Sequence, residues 1–493
     1  MTEVDKGSHI AGGDERVSVQ IYQRPQGLKG LYYNPMTQII MLGLVCFMCP
    51  GLFNALNGLG GGGQIDTATS ANANSAHYAT FAGGAFFSGS INNKLGPRLS
   101  LLLGSAGYPL YIGSFLAINI HPHAGAFVIA AGTILGLCAG LLWTAQGSLM
   151  LSYPTENQKG LFIGTFWAIF NLGAVVGASV SLGENSHSKA NSGAWRLPSS
   201  HTVISSCWYL VGNGTYIGFL ALTLIGVTIP IFMAEPSKII RFDGTRVTTP
   251  RHPSWKSEII GLWVTLRTDP CVILLFPMFL ASNWFYTWQF NDYNNAVFNI
   301  RARSLNNLVY WLAQIVGSLS IGFILDQKKF TRRFRAFTGW AILLIMVFVV
   351  HIWAYFYQKQ YTRESLPPDA NKMDIFDDGY AGRIMLYIFC GLLDAMWQTA
   401  VYWLMGAMSN DPAKLAHFIG FYKSIQSAGA AGTWRADAIK IPYMNLFIST
   451  WVLLAAGLIF ALPVIHIRVK TRTDPMVDTL ARARSTDDEQ KIW

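Results

Sequence analysis

The chain has 493 residues, of which 52% are hydrophobic and 13% charged, well below the roughly one-quarter charged usage of soluble domains. That composition argues against a soluble enzyme of this size. A net charge of +10 could mark a nucleic-acid binder, but the basic residues are spread in short segments between apolar runs, so no nucleic-acid partner is expected and the charge reads as a topology signal.

In chain order, residues 1–35 form a polar tail that carries Asp5, Lys6, Asp14, Glu15, Arg16, Arg24 and Lys29. It has no apolar core, so no cleaved signal peptide is expected, and the first apolar segment serves as its own insertion signal. Windows of about twenty apolar residues then fall near 36–58, 74–93, 99–120, 124–150, 158–182, 215–234, 270–292, 304–325, 335–357, 381–407, 413–433 and 441–467. They group into an N-terminal half, 36–234, and a C-terminal half, 270–467, with a cytoplasmic linker at 235–269 and a tail at 468–493. Lys and Arg concentrate in the segments that a cytoplasmic N-terminus would place inside, which puts both termini in the cytoplasm. The run Gly58 and Gly60 to Gly63 has no strand before it and no Gly-Lys-Ser/Thr after it, so it reads as an external turn instead of a phosphate loop.

Five of the six cysteines (Cys46, Cys49, Cys138, Cys271 and Cys390) lie inside apolar runs, and Cys207 lies in an external insertion at 184–214. No disulfide framework, metal site or other cofactor is expected, because Cys46-x-x-Cys49 lacks the two further ligands that zinc requires. The insertion's core, Val203 to Val211, is too short to span.

Internal repetition supports the two halves. Gly89-x-Ile91-x-Asn93-Lys94 after the second window recurs as Gly322-x-Ile324-x-Asp326-Gln327 after the eighth, each followed by basic residues: Arg98 in the first copy, and Lys328, Lys329, Arg332 and Arg333 in the second. The first copy, continuing through Gly96 to Leu101, resembles the signature loop of the major facilitator superfamily. That resemblance implies glycine for close helix contact and a cytoplasmic clasp between an acid and an arginine. Asn93 stands at the acid position, so a clasp there rests on hydrogen bonds.

Two further blocks, WTAQG at Trp143 to Gly147 and KG...FWAIFN at Lys159 to Asn171, resemble the Unc-ninety-three-like family, a branch of that superfamily. The implied fold is an all-α membrane protein with twelve transmembrane helices in two pseudo-symmetric six-helix halves. Family members pass almost directly from a Gly-Ala like Gly193-Ala194 to an Asn-Gly-Thr-Tyr like Asn213 to Tyr216, so 195–212 reads as a lineage-specific insertion or a retained intron.

Proteins of this superfamily place helices one, four, seven and ten around a central cavity, and here each carries polar or aromatic residues three or four apart, on one helical face. The candidates are Asn54 and Asn57; Trp143 and Gln146; Trp284 and Trp288 with Gln289; and Asp394 with Trp397 and Gln398. They line a cavity or bond to neighbouring helices, and the sequence leaves both readings open. Asp394 and Lys423 lie mid-way along helices ten and eleven, where an unpaired ion costs roughly 2.5–3.5 kcal/mol. They are expected to be a coupling or substrate-binding pair, or a structural ion pair. Asp292 is expected at the interface, with Arg435 and Asp437 as a loop pair. No nucleophile, paired catalytic carboxylates or metal cluster emerges, so no enzymatic activity is expected.

The expected function is transport of an unidentified small solute by alternating access, with proton coupling as one form of it, in an integral multi-pass protein whose first partner is the lipid bilayer. The alternative is a regulatory or trafficking escort with a membrane-protein partner, a role associated with animal relatives. Lined polar faces favour transport, and a sealed centre favours escort. Plasma membrane and endomembranes remain equally open.

Overall fold

The computed structural model describes residues 21–58, 67–187, 213–247, 270–367 and 370–470, with separate positions between 255 and 267. Helical segments fall in every apolar window. After a short helix at Gly27–Tyr32, α1 runs through Pro35–Cys46, a π-helical turn at Phe47–Gly51 and Leu52–Gly58. Pro50 sits inside that turn; having no N–H, and with its ring set against the preceding turn, proline forces the wider winding. There follow α2 (Thr67–Leu95), α3 (Pro97–Ser105 and Gly107–Ile120), α4 (Gly125–Ser152), α5 (Lys159–Asn185) and α6 (Asn213–Phe232). The second set is α7 (Pro270–Leu274, Phe276–Ala281 and the π-helical Trp288–Asn295), α8 (Ile300–Leu325), α9 (Arg332–Gln358), α10 (Tyr380–Met408), α11 (Pro412–Ala438) and α12 (Tyr443–Arg468).

Local chemistry sets several starts. Asn34, Asn299, Thr331 and Asp411 each accept a hydrogen bond from a backbone N–H of the first turn of α1, α8, α9 and α11, satisfying donors that have no partner within the helix. Pro35, Pro97 and Pro412 occupy first-turn positions, where the missing N–H costs nothing.

Among the described residues eight helices, α1, α3, α4, α5, α8, α9, α10 and α12, are long and apolar enough to cross a bilayer alone. The other four depart for visible reasons. The apolar part of α6, Tyr216–Phe232, is shorter, and α7 is interrupted. In α2 and α11 the polar side chains of Asn74, His77, Lys423 and Gln426 are buried against protein: α2 packs along α4 and α11, and α11 along α2 and α4. A helix hidden from lipid need not be uniformly apolar. By contrast Phe323, Ile345, Val452 and Ile459 stay exposed on the outer faces of α8, α9 and α12, an arrangement suited to hydrocarbon and costly in water.

The first six helices meet the last six along two seams, α2 with α11 and α5 with α8. Glycine sets both approaches. A Cβ on Gly89 would lie 2.8 Å from the Ala416 carbonyl oxygen, and one on Gly322 would lie 2.7 Å from that of Gly160. The end of the bundle bearing the α2–α3, α4–α5, α8–α9 and α10–α11 turns is here called the basic end, after Lys328, Lys329, Arg332 and Arg333. Residues 188–212 of the insertion at 184–214, and the glycine run from Gly60 to Gly63, lie outside the described residues.

Candidate functional site

A buried polar network crosses the middle of the bundle. In α10, Asp394, Gln398 and Tyr402 recur every four residues and share a face. From α8, the Tyr310 hydroxyl and Gln314 Nε2 reach Asp394 Oδ2 at 3.0 and 2.6 Å. The Tyr310 hydroxyl also lies 2.7 Å from Gln289 Oε1 of α7, so its single proton serves one of the two acceptors at a time. From α11, the Tyr422 hydroxyl and Gln426 Nε2 reach Gln398 Oε1 at 2.7 and 3.1 Å, and Gln426 Nε2 also donates to Asn283 Oδ1 at 2.8 Å. Gln398 Nε2 lies 2.9 Å from the Ser282 carbonyl and 3.5 Å from Asp394 Oδ1.

Lys423 sits on the other side of these amides. Its ammonium donates to Gln426 Oε1 at 2.7 Å and lies 4.8, 4.8 and 5.2 Å from the ring centres of Trp143, Tyr422 and Tyr402. Three rings offer their negative faces to one cation. Tyr402 also donates to Gln146 Oε1 at 3.2 Å, which brings α4 into the network. Asp394 and Lys423 are 1% and 4% exposed.

The expected direct ion pair is not formed: Asp394 and Lys423 are not within 4.0 Å of each other, and the Gln398–Gln426 amides lie between them. Asp394 is held by neutral donors and Lys423 by rings and an amide oxygen. The faces assigned to Trp284 and Trp288 and the pairing of Arg435 with Asp437 also need correction. Trp284 Nε1 donates to Ser449 of α12 at 2.9 Å, and Trp288 Nε1 to Gln358 of α9 at 2.6 Å, so both turn toward the outer helices while Gln289 turns to the network. The cause is the break in α7 before Thr287 and the π-helical winding after it, which spoil the three-to-four residue rule. Asp437 pairs with Arg363 at 2.5 Å, not with Arg435; Asp292, which also faces Arg363 at 3.5 Å, lies among these helix-end residues but is fully buried in protein.

Of the remaining candidates, Trp397 donates to Ser282 Oγ at 3.1 Å and packs toward α7. Asn54 is half-buried and Asn57 buried, and neither shares a hydrogen bond with the network. Sequence reasoning missed Asn283, Tyr310, Gln314, Tyr402, Tyr422 and Gln426. The signal was present in Tyr310 and Gln314, four apart, and in Gln426, three after Lys423.

Contacts between the halves enclose this centre at both ends. At the basic end Lys159 of α5 donates to the Gly406 carbonyl and, at 2.7 Å, to Asn410 Oδ1, and Glu156 meets Arg332 at 3.4 Å. At the far end Ser181 meets Ser304 at 3.4 Å, and Asn307 Nδ2 donates to the Ala55 carbonyl at 3.1 Å.

The signature loops close the same seams. Gly96 adopts φ +81° and turns the chain from α2 into α3. In the second copy Asp326 accepts from the backbone N–H of Gly160 and Leu161 at 2.9 and 2.6 Å, placing a carboxylate at the positive end of α5. In the first copy Asn93 faces α11, and Arg98 donates to the Ile231 carbonyl at 2.5 Å. Among the described residues no group of three or more His, Cys, Asp or Glu is arranged to hold a metal. Cys49 donates to the Thr223 carbonyl at 3.8 Å as an ordinary packing residue.

Two helical halves meeting along α2/α11 and α5/α8 around a buried polar centre define a multi-pass membrane protein of the major facilitator fold. That fold aligns with the solved proton:xylose symporter XylE bound to 6-bromo-6-deoxy-D-glucose with a TM-score of 0.62, over 90% of this chain and 97% of that one, at 11% identity. Residues 61–462 match the family described as ion channel regulatory protein UNC-93. An UNC93-like protein of Schizosaccharomyces pombe is 46% identical over 464 residues, 93% of this chain and 88% of the relative. UNC93-like protein 1 of Arabidopsis thaliana is 39% identical over 467 residues, 94% and 95% of the two chains. The chain belongs to the UNC-93 family.

Proposed function

We propose that this protein transports a small solute by alternating access, with the Asp394–Lys423 centre as the substrate and coupling site. The observation that carries the reading is the state of Asp394: a carboxyl group 1% exposed, bonded to Tyr310, Gln314 and Gln398 and lacking a cation in contact. A buried carboxylate without a cation is costly, and a proton or a cationic substrate group removes the cost. Lys423, held by rings instead of a carboxylate, is free to answer a change of charge on Asp394 across the amide bridge. The halves then exchange their closed ends around this centre, with differential affinity for ligand or proton biasing the exchange.

A second reading, a non-transporting regulator or escort of another membrane protein, draws support from the description of the family and from the contacts between the halves at both ends. The two readings separate in a knockout strain screened for uptake and export of labelled solutes. The transport reading expects a flux that the wild-type gene restores in a pH-dependent way and that Asp394→Asn restores without the pH dependence. Absence of any such flux, with a partner protein mislocalised, decides for the escort.

A further inference from the structure

We propose that the missing acid of the first signature loop is supplied by the connection between the halves: Glu258 is the anion that clamps α2 to the start of α11. Glu258 lies between α6 and α7, far in sequence from both helices, yet it is 7% exposed. Its Oε2 accepts from Asn93 Nδ2 at 3.0 Å and lies 3.1 Å from His417 Nε2. Its backbone carbonyl accepts from Ser90 Oγ at 3.4 Å. Asn93 Nδ2 also lies 3.4 Å from the Ala413 carbonyl and 3.4 Å from His417 Nε2. Residues of α2, the connection and the first turns of α11 thus converge on one carboxylate.

The second seam shows what that carboxylate replaces. There Asp326, at the end of α8, reaches the first N–H groups of α5 directly, and the acid is fixed to the helix it follows. At the first seam the equivalent residue is Asn93, which brings a donor and no charge. Asn93 is suited to hold an outside acid, and Glu258 provides one beside the positive end of α11. The two seams therefore close by different means. The α5/α8 seam carries its acid on the helix it closes, while the α2/α11 seam takes its acid from Glu258 of the connection. Opening of the basic end is thereby tied to a segment outside the helical bundle.

Substitution pairs with opposite signs test this. Spin labels carried on unnatural amino acids at positions 99 and 334, which are exposed near the starts of α3 and α9, report the separation of the halves at the basic end in the purified full chain. Glu258→Gln is expected to raise the ratio of open to closed molecules roughly tenfold, the effect of losing about one charge-assisted hydrogen bond. Asn93→Asp alone is expected to raise it as well, because two carboxylates then face each other. The two substitutions together are expected to return the wild-type distribution, since the acid is restored on α2 itself. A wild-type distribution in either single variant, or a double variant more open than both singles, overturns the proposal. Should Glu258→Gln fail to fold, Asn93→Asp alone decides by the same measurement.

Discussion

Asp394 and Lys423 occupy consecutive helices with their charges held apart, and this separation sets what each substitution does. Because Lys423 rests on Trp143, Tyr402 and Tyr422, Asp394→Asn does not strand it. Removing one side of a direct buried pair costs about 3–5 kcal/mol; the expected loss here is under about 1.5 kcal/mol, the scale of one hydrogen bond. Thermal unfolding of the purified protein checks this, and a loss on the ion-pair scale would mean that the charges meet directly. The same variant is expected to abolish the pH dependence of transport. A second residue-scale prediction concerns Asp374, in the connection before α10. Hydrogen bonding to the Arg301 guanidinium lowers its pKa from 3.8 to about 2. A depressed carboxyl pKa stabilises the fold above its unfolded value, and that contribution fades as pH falls from about 4 toward 2. Melting temperatures of wild type and Asp374→Asn should therefore differ at pH 6 and converge at the acid end; a constant gap across that range would refute the assignment.

At the scale of helices, the seams tolerate no added volume. A Cβ on Gly160 would lie 2.4 Å from the Gly322 carbonyl oxygen and 2.8 Å from Asp326 Oδ1. Gly160→Ala is expected to cost about 1–3 kcal/mol, the usual penalty for overpacking. Gly113→Ala in α3, where the new methyl meets open space, should be neutral or gain up to about 1 kcal/mol from helix propensity. Comparing the two unfolding midpoints tests the seam directly, and equal effects would contradict it. The seam's glycines were legible in the sequence, because Gly89 and Gly322 repeat in matching loops, and the helices themselves were legible from apolar length. Helix faces were less so. Uniform winding predicts that Trp284 and Trp288 share a face with the central cavity, and nothing in the letters announces the π-helical turn that rotates α7. Tyr310 and Gln314 lie on α8, outside the four helices that the superfamily resemblance places around the cavity, so their four-residue spacing did not by itself point to it. Glu258 was hidden for another reason: one of four acids in a basic, proline-containing connection looks like solvated surface until the fold brings α2 and α11 to it.

For the molecule as a whole, the distribution of basic residues predicts sidedness. Cysteines introduced at the exposed positions Arg246 and Lys329 are expected to resist an impermeant thiol reagent added to sealed cells and to react in inverted vesicles, relative to the unsubstituted chain. Reaction from outside would reverse the orientation. Deleting 195–212, the stretch that breaks the resemblance to the family, is expected to leave expression and monodispersity at wild-type levels. A collapse in yield would make that stretch part of the fold.

The polarity of α2 has a consequence for biogenesis. Much of what hides its polar side chains from lipid is α11, which is made more than three hundred residues later. A ribosome that has released only the first half has therefore delivered α2 to the membrane with one flank uncovered. Until α11 arrives, that flank needs water, a translocon wall or a membrane chaperone in contact with it. Chains truncated after residue 234 should accordingly be retained by such factors and degraded, even though every helix of their half has been synthesised.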